Sequence, residues 1–148
     1  MDHIRSWNRM KTESQKSPVK IGDEIKIKID RLGTNGEGIA RIENFTIFIP
    51  LALPDEIVLA KIVEVKKNYA IGELIEIIKY SPDRVKSRCP LFKDISSNSE
   101  LSCGGCQLQH LSYPAQLNWK RQQVIDAVTR IGKIDVEVKN TIGMSDPY

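Results

Sequence analysis

Cysteine is scarce and unevenly placed: the first 88 residues contain none, and the only three are Cys89, Cys103 and Cys106. So few thiols, so clustered, argue against a disulfide framework and for a shared ligand. Long apolar runs are also missing. Nothing approaches the ~18 residues that a membrane span needs, and the longest candidate, Phe45 to Leu53, is interrupted by Pro50. The leader MDHIRSWNRMKTESQKS has no apolar h-region, which excludes a secretory signal and leads us to expect a cytoplasmic protein with no membrane partner. Nor is there an excess of one charge. The 22 Lys and Arg against 19 Asp and Glu give +3, with 9 basic and 10 acidic residues between positions 17 and 80. That balance permits binding to nucleic acid but excludes a binder that relies on phosphate attraction alone.

What is there is a strand pattern. Hydrophobic residues make up 41% and charged residues 28%, the balance of a folded globular chain. Residues 1–17 are polar and aperiodic and are expected to form a tail, in which Trp7 is the one residue that could dock. From Glu24 to Asp30 polar and apolar residues alternate without an error, predicting a strand with one wet face. Asn35-Gly36 predicts a hairpin, and strands follow at Gly38–Ile42, Phe45–Ile49, Ile57–Lys66 and Ala70–Ile78, separated by Glu43-Asn44, by Pro50 and Pro54, and by Lys67-Asn68. Five short strands without a helix predict a small closed barrel, because an open sheet of that size leaves exposed edges, and the long fourth strand is expected to bend. The Gly33 to Gly38 run is superficially like a phosphate-binding loop, but a strand follows it where such a loop needs a helix.

Beyond residue 80 the pattern changes. Arg84, Lys86 and Arg88 alternate in a linker, so an extended backbone would point all three cations one way. Cys103-Gly104-Gly105-Cys106 puts two thiols on a tight turn whose glycines let backbone amides approach the sulfurs. That suits a metal or an iron–sulfur cluster, with Cys89 as a third thiolate. Zinc bound by the three cysteines and His110 is an equally good reading, a dithiol redox pair a weaker one, and His110 as a packing residue the ordinary one. A helix then follows, with Ser112 as N-cap, Pro114 in its first turn, Leu117, Val124, Ile125, Val128 and Ile131 on one face and Gly132 as C-cap. Ile134 to Val138 reads as one more strand, and the sequence then stops at Tyr148 without a capping element. The expected organisation is a tail (1–17), a barrel (18–80), a linker with the cysteine segment (81–111) and the start of a further domain (112–148).

The order of these features resembles the RNA 5-methyluridine methyltransferases that begin with a TRAM domain. The likeness is carried by LGTNGEGIARI (Leu32 to Ile42), FIPLALPDE (Phe48 to Glu56), SPDRV (Ser81 to Val85), CPLF (Cys89 to Phe92) and CGGCQLQHLSY (Cys103 to Tyr113), with Gln116-Leu117 and Lys120 beyond. The resemblance implies a mainly β chain: a five-stranded OB-like barrel that grips RNA, followed by a cysteine-rich loop and an α-helix. It implies a [4Fe–4S] cluster with Cys89, Cys103 and Cys106 in the first three ligand positions and the fourth cysteine farther downstream. It also implies a C-terminal domain that binds S-adenosylmethionine and supplies the nucleophilic cysteine and the base; no residue of this chain matches those catalytic groups. One departure is Lys93 to Ser102, a long insert where the family places the first two cysteines about six positions apart. The expected partner is a single-stranded loop of rRNA or tRNA rather than DNA, with Arg31, Arg41, Phe48, Lys66, Lys67 and Tyr69 as RNA contacts on strand faces and turns. A stand-alone TRAM-type RNA-binding module with structural zinc or iron–sulfur is the alternative function, and an inactive remnant of a split gene a third.

Overall fold

A computed structural model describes residues 17–95 and 103–147. Trp7 and the expected tail, most of the insert between the cysteines, and Tyr148 lie outside the described residues. The elements in order are β1 (Glu24–Lys28), β2 (Arg31–Leu32), β3 (Gly38–Ile42), β4 (Phe45–Ile49), β5 (Ile57–Val65), β6 (Tyr69–Lys79) and α1 (Tyr113–Asp126), the last continued by a π-helical turn, Ala127–Ile131. The fold is mainly β and OB-like, as the sequence implied, with six strands rather than five.

The sixth strand arises because the first predicted one is interrupted. Hydrogen bonding runs in the order β1-β5-β6-β4-β3-β2, antiparallel throughout except for the parallel pair β4–β6. The two ends of that order, β1 and β2, are separated in sequence only by Ile29 and Asp30. No ladder joins them sideways, so the sheet is not closed by pairing; one bent stretch of chain borders both of its ends. The bend is held by the backbone: the Ile29 N–H donates to the Glu56 carbonyl at 2.9 Å and the Asp30 N–H to the Ile39 carbonyl at 2.8 Å. The expected bend thus falls on the first strand, while β5 carries register irregularities against β6. Taking β1 and β2 as one, the order is that of a partly open OB barrel.

Inside lie Ile29, Ala40, Ile47, Ile49, Val58, Ala60, Ile62, Ala70 and Ile77, the inward members of the alternating strands. Gly38 is needed where two chain segments cross, since a Cβ there would sit 2.8 Å from the Ala52 carbonyl oxygen. Gly36, in the β2–β3 turn, takes φ +83° and Glu43, in the β3–β4 turn, φ +54°, so both predicted turns form, the first on a glycine that bears positive φ without strain and the second on a glutamate.

The segment after the barrel is fastened to it by a buried ion pair. The Arg84 Nε donates to Glu56 Oε1 at 2.6 Å and its Nη2 to Glu56 Oε2 at 3.0 Å and to the Leu51 carbonyl at 2.6 Å, while Nη1 reaches Asp94 at 3.2 Å. Glu56 is fully buried and also accepts from the Leu53 and Ser81 N–H groups, and the Arg84 side chain is only 8% exposed. The equal orientation expected of Arg84, Lys86 and Arg88 therefore fails: Arg84 turns inward to a buried carboxylate, whereas Arg88 pairs with Asp146 at the surface. A second apolar cluster, Leu32, Leu53 and Leu111 with Leu108, Ala115 and Trp119, seats α1 on the barrel.

Ser112 and Gly132 hold the N-cap and C-cap positions expected of them, without the usual cap chemistry, and two other expectations, the apolar stripe and the last strand, are corrected. Ser112 starts α1, but its hydroxyl donates to Asp83 at 3.1 Å instead of capping a helical N–H. Gly132 ends the π-helical turn in right-handed conformation, and the left-handed residue is Lys133, φ +51°. The predicted apolar stripe is covered only in part: Leu117, Ile125 and Val128 are half-buried while Val124 and Ile131 are exposed, because the side of α1 that meets the barrel carries Ala115, Gln116 and Trp119. Ile134–Val138 is irregular and exposed: no neighbouring strand among the described residues offers it a ladder.

Candidate nucleic-acid interface and cysteine segment

Cross-strand partners share a face of a sheet. The pairings Arg31↔Ile39, Ile39↔Phe48 and Phe48↔Ile71 therefore lay a continuous row across the outside of the sheet, with Arg41↔Thr46 and Thr46↔Tyr69 as the row beside it. The rings of Phe48 and Tyr69 meet edge to face, 5.5 Å apart at 76°. Over this face lies the end of α1, and between the two runs an open groove of about 920 Å³. Arg31, Phe48 and Tyr69 line it from the sheet, Asn35 and Glu37 from the β2–β3 turn, and Gln123, Asp126 and Arg130 from the helix. The structure thus gathers three of the six expected RNA contacts in one place. Arg41 stands exposed on the same face outside the groove, and Lys66 and Lys67 lie at the β5–β6 turn. Lys66 is held above its ordinary pKa by its hydrogen bond and ion pair with Glu64, and Lys67 faces the β3–β4 turn. The helical wall was not foreseen; polar residues on an exposed helix give no sequence signal of what they face.

The cysteine segment sits on the other side of the β2–β3 turn. Cys103 and Cys106, both exposed, line a cavity of about 370 Å³ that Gly36, Leu51 and Phe92 close from behind; Cys89 does not line it. Gly105 N–H donates to Cys103 Sγ at 3.4 Å, and Gln109 Nε2 to Cys106 Sγ at 3.2 Å. The Gln109 carbonyl oxygen in turn accepts from the Cys89 N–H at 3.2 Å and the Ser87 hydroxyl at 2.7 Å, so one buried amide spans both halves of the segment. The donor chemistry fits thiolate ligands, which take N–H···S bonds. The assembly does not: among the described residues no three His, Cys, Asp or Glu stand together closely enough to hold a metal. His110 is fully buried, stacked on Phe92 at 5.3 Å, and neither ring nitrogen has a hydrogen-bond partner among the described residues. Its pKa is pushed down to about 4, first by burial and then by the Arg84 guanidinium, against the weaker opposing pull of Asp94 and Glu56. This is the packing role.

The bent OB-like sheet, with aromatic and cationic residues on one outer face, falls largely within residues 18–75, which match the TRAM domain. These residues form a TRAM domain, and most of the chain is similar to longer proteins named RNA methyltransferases. It is 46% identical over 135 residues to an uncharacterized RNA methyltransferase of Halalkalibacterium halodurans, covering 90% of this chain and 28% of the relative. A counterpart in Clostridium tetani is 48% identical over 131 residues, covering 88% and 27%. The chain thus spans little more than a quarter of these relatives. Among solved structures, the tRNA (uracil-54, C5)-methyltransferase of Pyrococcus abyssi is 28% identical with a TM-score of 0.49, covering 78% of this chain and 23% of that one. Among the described residues no helix is long and apolar enough to cross a membrane.

Proposed function

We propose that this chain is the RNA-binding part of a cytoplasmic, S-adenosylmethionine-dependent RNA (uracil-5-)-methyltransferase, and that the outer sheet face holds a single-stranded loop of rRNA or tRNA for a methyltransferase domain carried elsewhere. The observation that supports it most is the convergence of Arg31, Phe48 and Tyr69 on one groove, with Arg41 exposed on the same face. Single strands are gripped by this combination of stacking surface and scattered cations. The test is fluorescence anisotropy with a labelled single-stranded RNA and the DNA of the same sequence at about 50 mM salt. Saturable binding that favours RNA is expected, and no binding to RNA would refute the assignment.

For the cysteine segment we propose that Cys89, Cys103 and Cys106 bind a [4Fe–4S] cluster, zinc being the alternative, with a fourth ligand from outside this chain. The support is the pair of N–H···S bonds and the open Gly104 turn, which has nothing within 4 Å of a built Cβ and so leaves room for the thiols to draw together. Anaerobic purification with iron and zinc analysis decides it. Iron with broad visible absorption, lost in Cys103→Ser, is expected; zinc without colour would replace the cluster, and neither metal would remove the site.

A further inference from the structure

The groove between the sheet and the end of α1 differs in chemistry from a phosphate site. Its charged residues, Arg31, Glu37, Asp126 and Arg130, carry two charges of each sign. Both carboxylates are occupied locally: Glu37 accepts from the Asn35 N–H at 2.9 Å, and Asp126 accepts from Gln122 at 3.0 Å and pairs with Arg130 at 3.7 Å. A phosphate entering here would meet two carboxylates in a neutral cleft. A planar, uncharged ring would meet Phe48 and Tyr69, whose perpendicular rings form a corner offering one aromatic face and one aromatic edge. Two polar groups remain uncommitted beside that corner. Gln123 has no side-chain partner and Arg31 no ion pair among the described residues. An amide both donates and accepts, which is what the edge of a nucleobase presents.

We propose that this groove takes a single unstacked nucleobase, seated on Phe48 and Tyr69, with its edge read by Gln123 from the helical wall and its sugar-phosphate left outside near Arg31. The open groove of about 920 Å³ has room for one base with its sugar-phosphate and part of a neighbouring nucleotide. The helix end is thereby part of the RNA site, and the barrel alone presents only half of it. The inference rests on the RNA-binding reading above and names the ligand that this part of the face takes.

The experiment measures anisotropy on labelled octamers of rU, rA and rC between about 50 and 200 mM salt, for the natural chain and for Phe48→Leu, Tyr69→Leu and Gln123→Leu. Leucine keeps an apolar side chain at each ring position while removing the stacking face, and circular dichroism confirms that each variant folds. Phe48→Leu and Tyr69→Leu are expected to bind about 5- to 150-fold more weakly, the range that base–aromatic stacking supplies, with an unchanged dependence on salt. Gln123→Leu is expected to narrow the spread of affinities among the three octamers, which a purely structural residue would leave alone. Unchanged affinity in both ring variants, or a loss accompanied by a shallower salt dependence, overturns the base site while RNA binding itself stands. Absence of binding by the natural chain removes the RNA reading as well.

Discussion

At the scale of single residues, the strongest interactions lie where the barrel meets the cysteine segment. Glu56 and Arg84 are both out of water and each satisfies several groups of the other's surroundings. Removing one charge leaves the other buried and unpaired, so Glu56→Gln is expected to cost about 3–5 kcal/mol in a urea titration. Glu56→Leu combined with Arg84→Met should cost less than either single change, because it removes both stranded charges; a double variant as unstable as the sum of the singles would refute this account. His110 gives a pH signature. Burial and Arg84 favour its neutral form, so the folded protein binds fewer protons than the unfolded chain between the unfolded pKa of 6.5 and about 4. Its contribution to stability is complete above that window and falls as pH drops through it, by roughly 3 kcal/mol in all at about 1.4 kcal/mol per unit. A His110→Phe variant, which keeps a ring against Phe92, should lose this part of the pH slope while retaining the part due to carboxylates. Identical slopes for the two proteins would show that His110 does not titrate in this way.

At the scale of elements, the strands were legible because each obeys a local rule. β3 and β4 have the bounds that their alternation predicts, since both are short, half-buried and closed by turn residues. Glycines of the strands and of the turns differ in how tightly they are packed, and alanine tells them apart. At Gly38 a Cβ would press on the backbone of Ala52 at 2.8 Å, so Gly38→Ala is expected to destabilise by about 1–3 kcal/mol. At Gly104 a Cβ meets nothing within 4 Å, so Gly104→Ala should stay within about 0.5 kcal/mol. Thermal melts of the two variants check the contrast, and equal melting temperatures would mean that the crossing at Gly38 is not tight. Ile134–Val138 shows the opposite limit. Its alternation satisfies the same local rule, but a strand also needs a partner, and the described residues supply none.

At the scale of the whole molecule, the barrel and the helix that follows are coupled. Leu32 and Leu53 of the barrel share one cluster with Leu111 and Trp119, and the Glu56–Arg84 pair crosses the same junction. Unfolding of the sheet should therefore expose Trp119 in the same transition. In a Trp7→Phe background, far-UV circular dichroism and tryptophan fluorescence are expected to give coincident urea curves. Fluorescence that changes well before the sheet signal would show that the helix leaves the barrel independently.

The sequence by itself determined the strands, their turns and the inward side chains, because alternation and positive-φ residues act over a few positions. It also placed the three cysteines in one segment, and the family resemblance carried by its motifs implied RNA chemistry. Only the tertiary structure decided which residues face one another. That Arg31, Phe48 and Tyr69 share a groove with Gln123 follows from the parallel β4–β6 pairing and from the way the leucine cluster seats α1. The inward turn of Arg84, the burial of His110 away from the thiols and the bend at Ile29 likewise depend on contacts between residues far apart in the chain. Local patterns carry no record of such distances, because a side chain's charge or shape does not specify its partner until the backbone has brought one within reach.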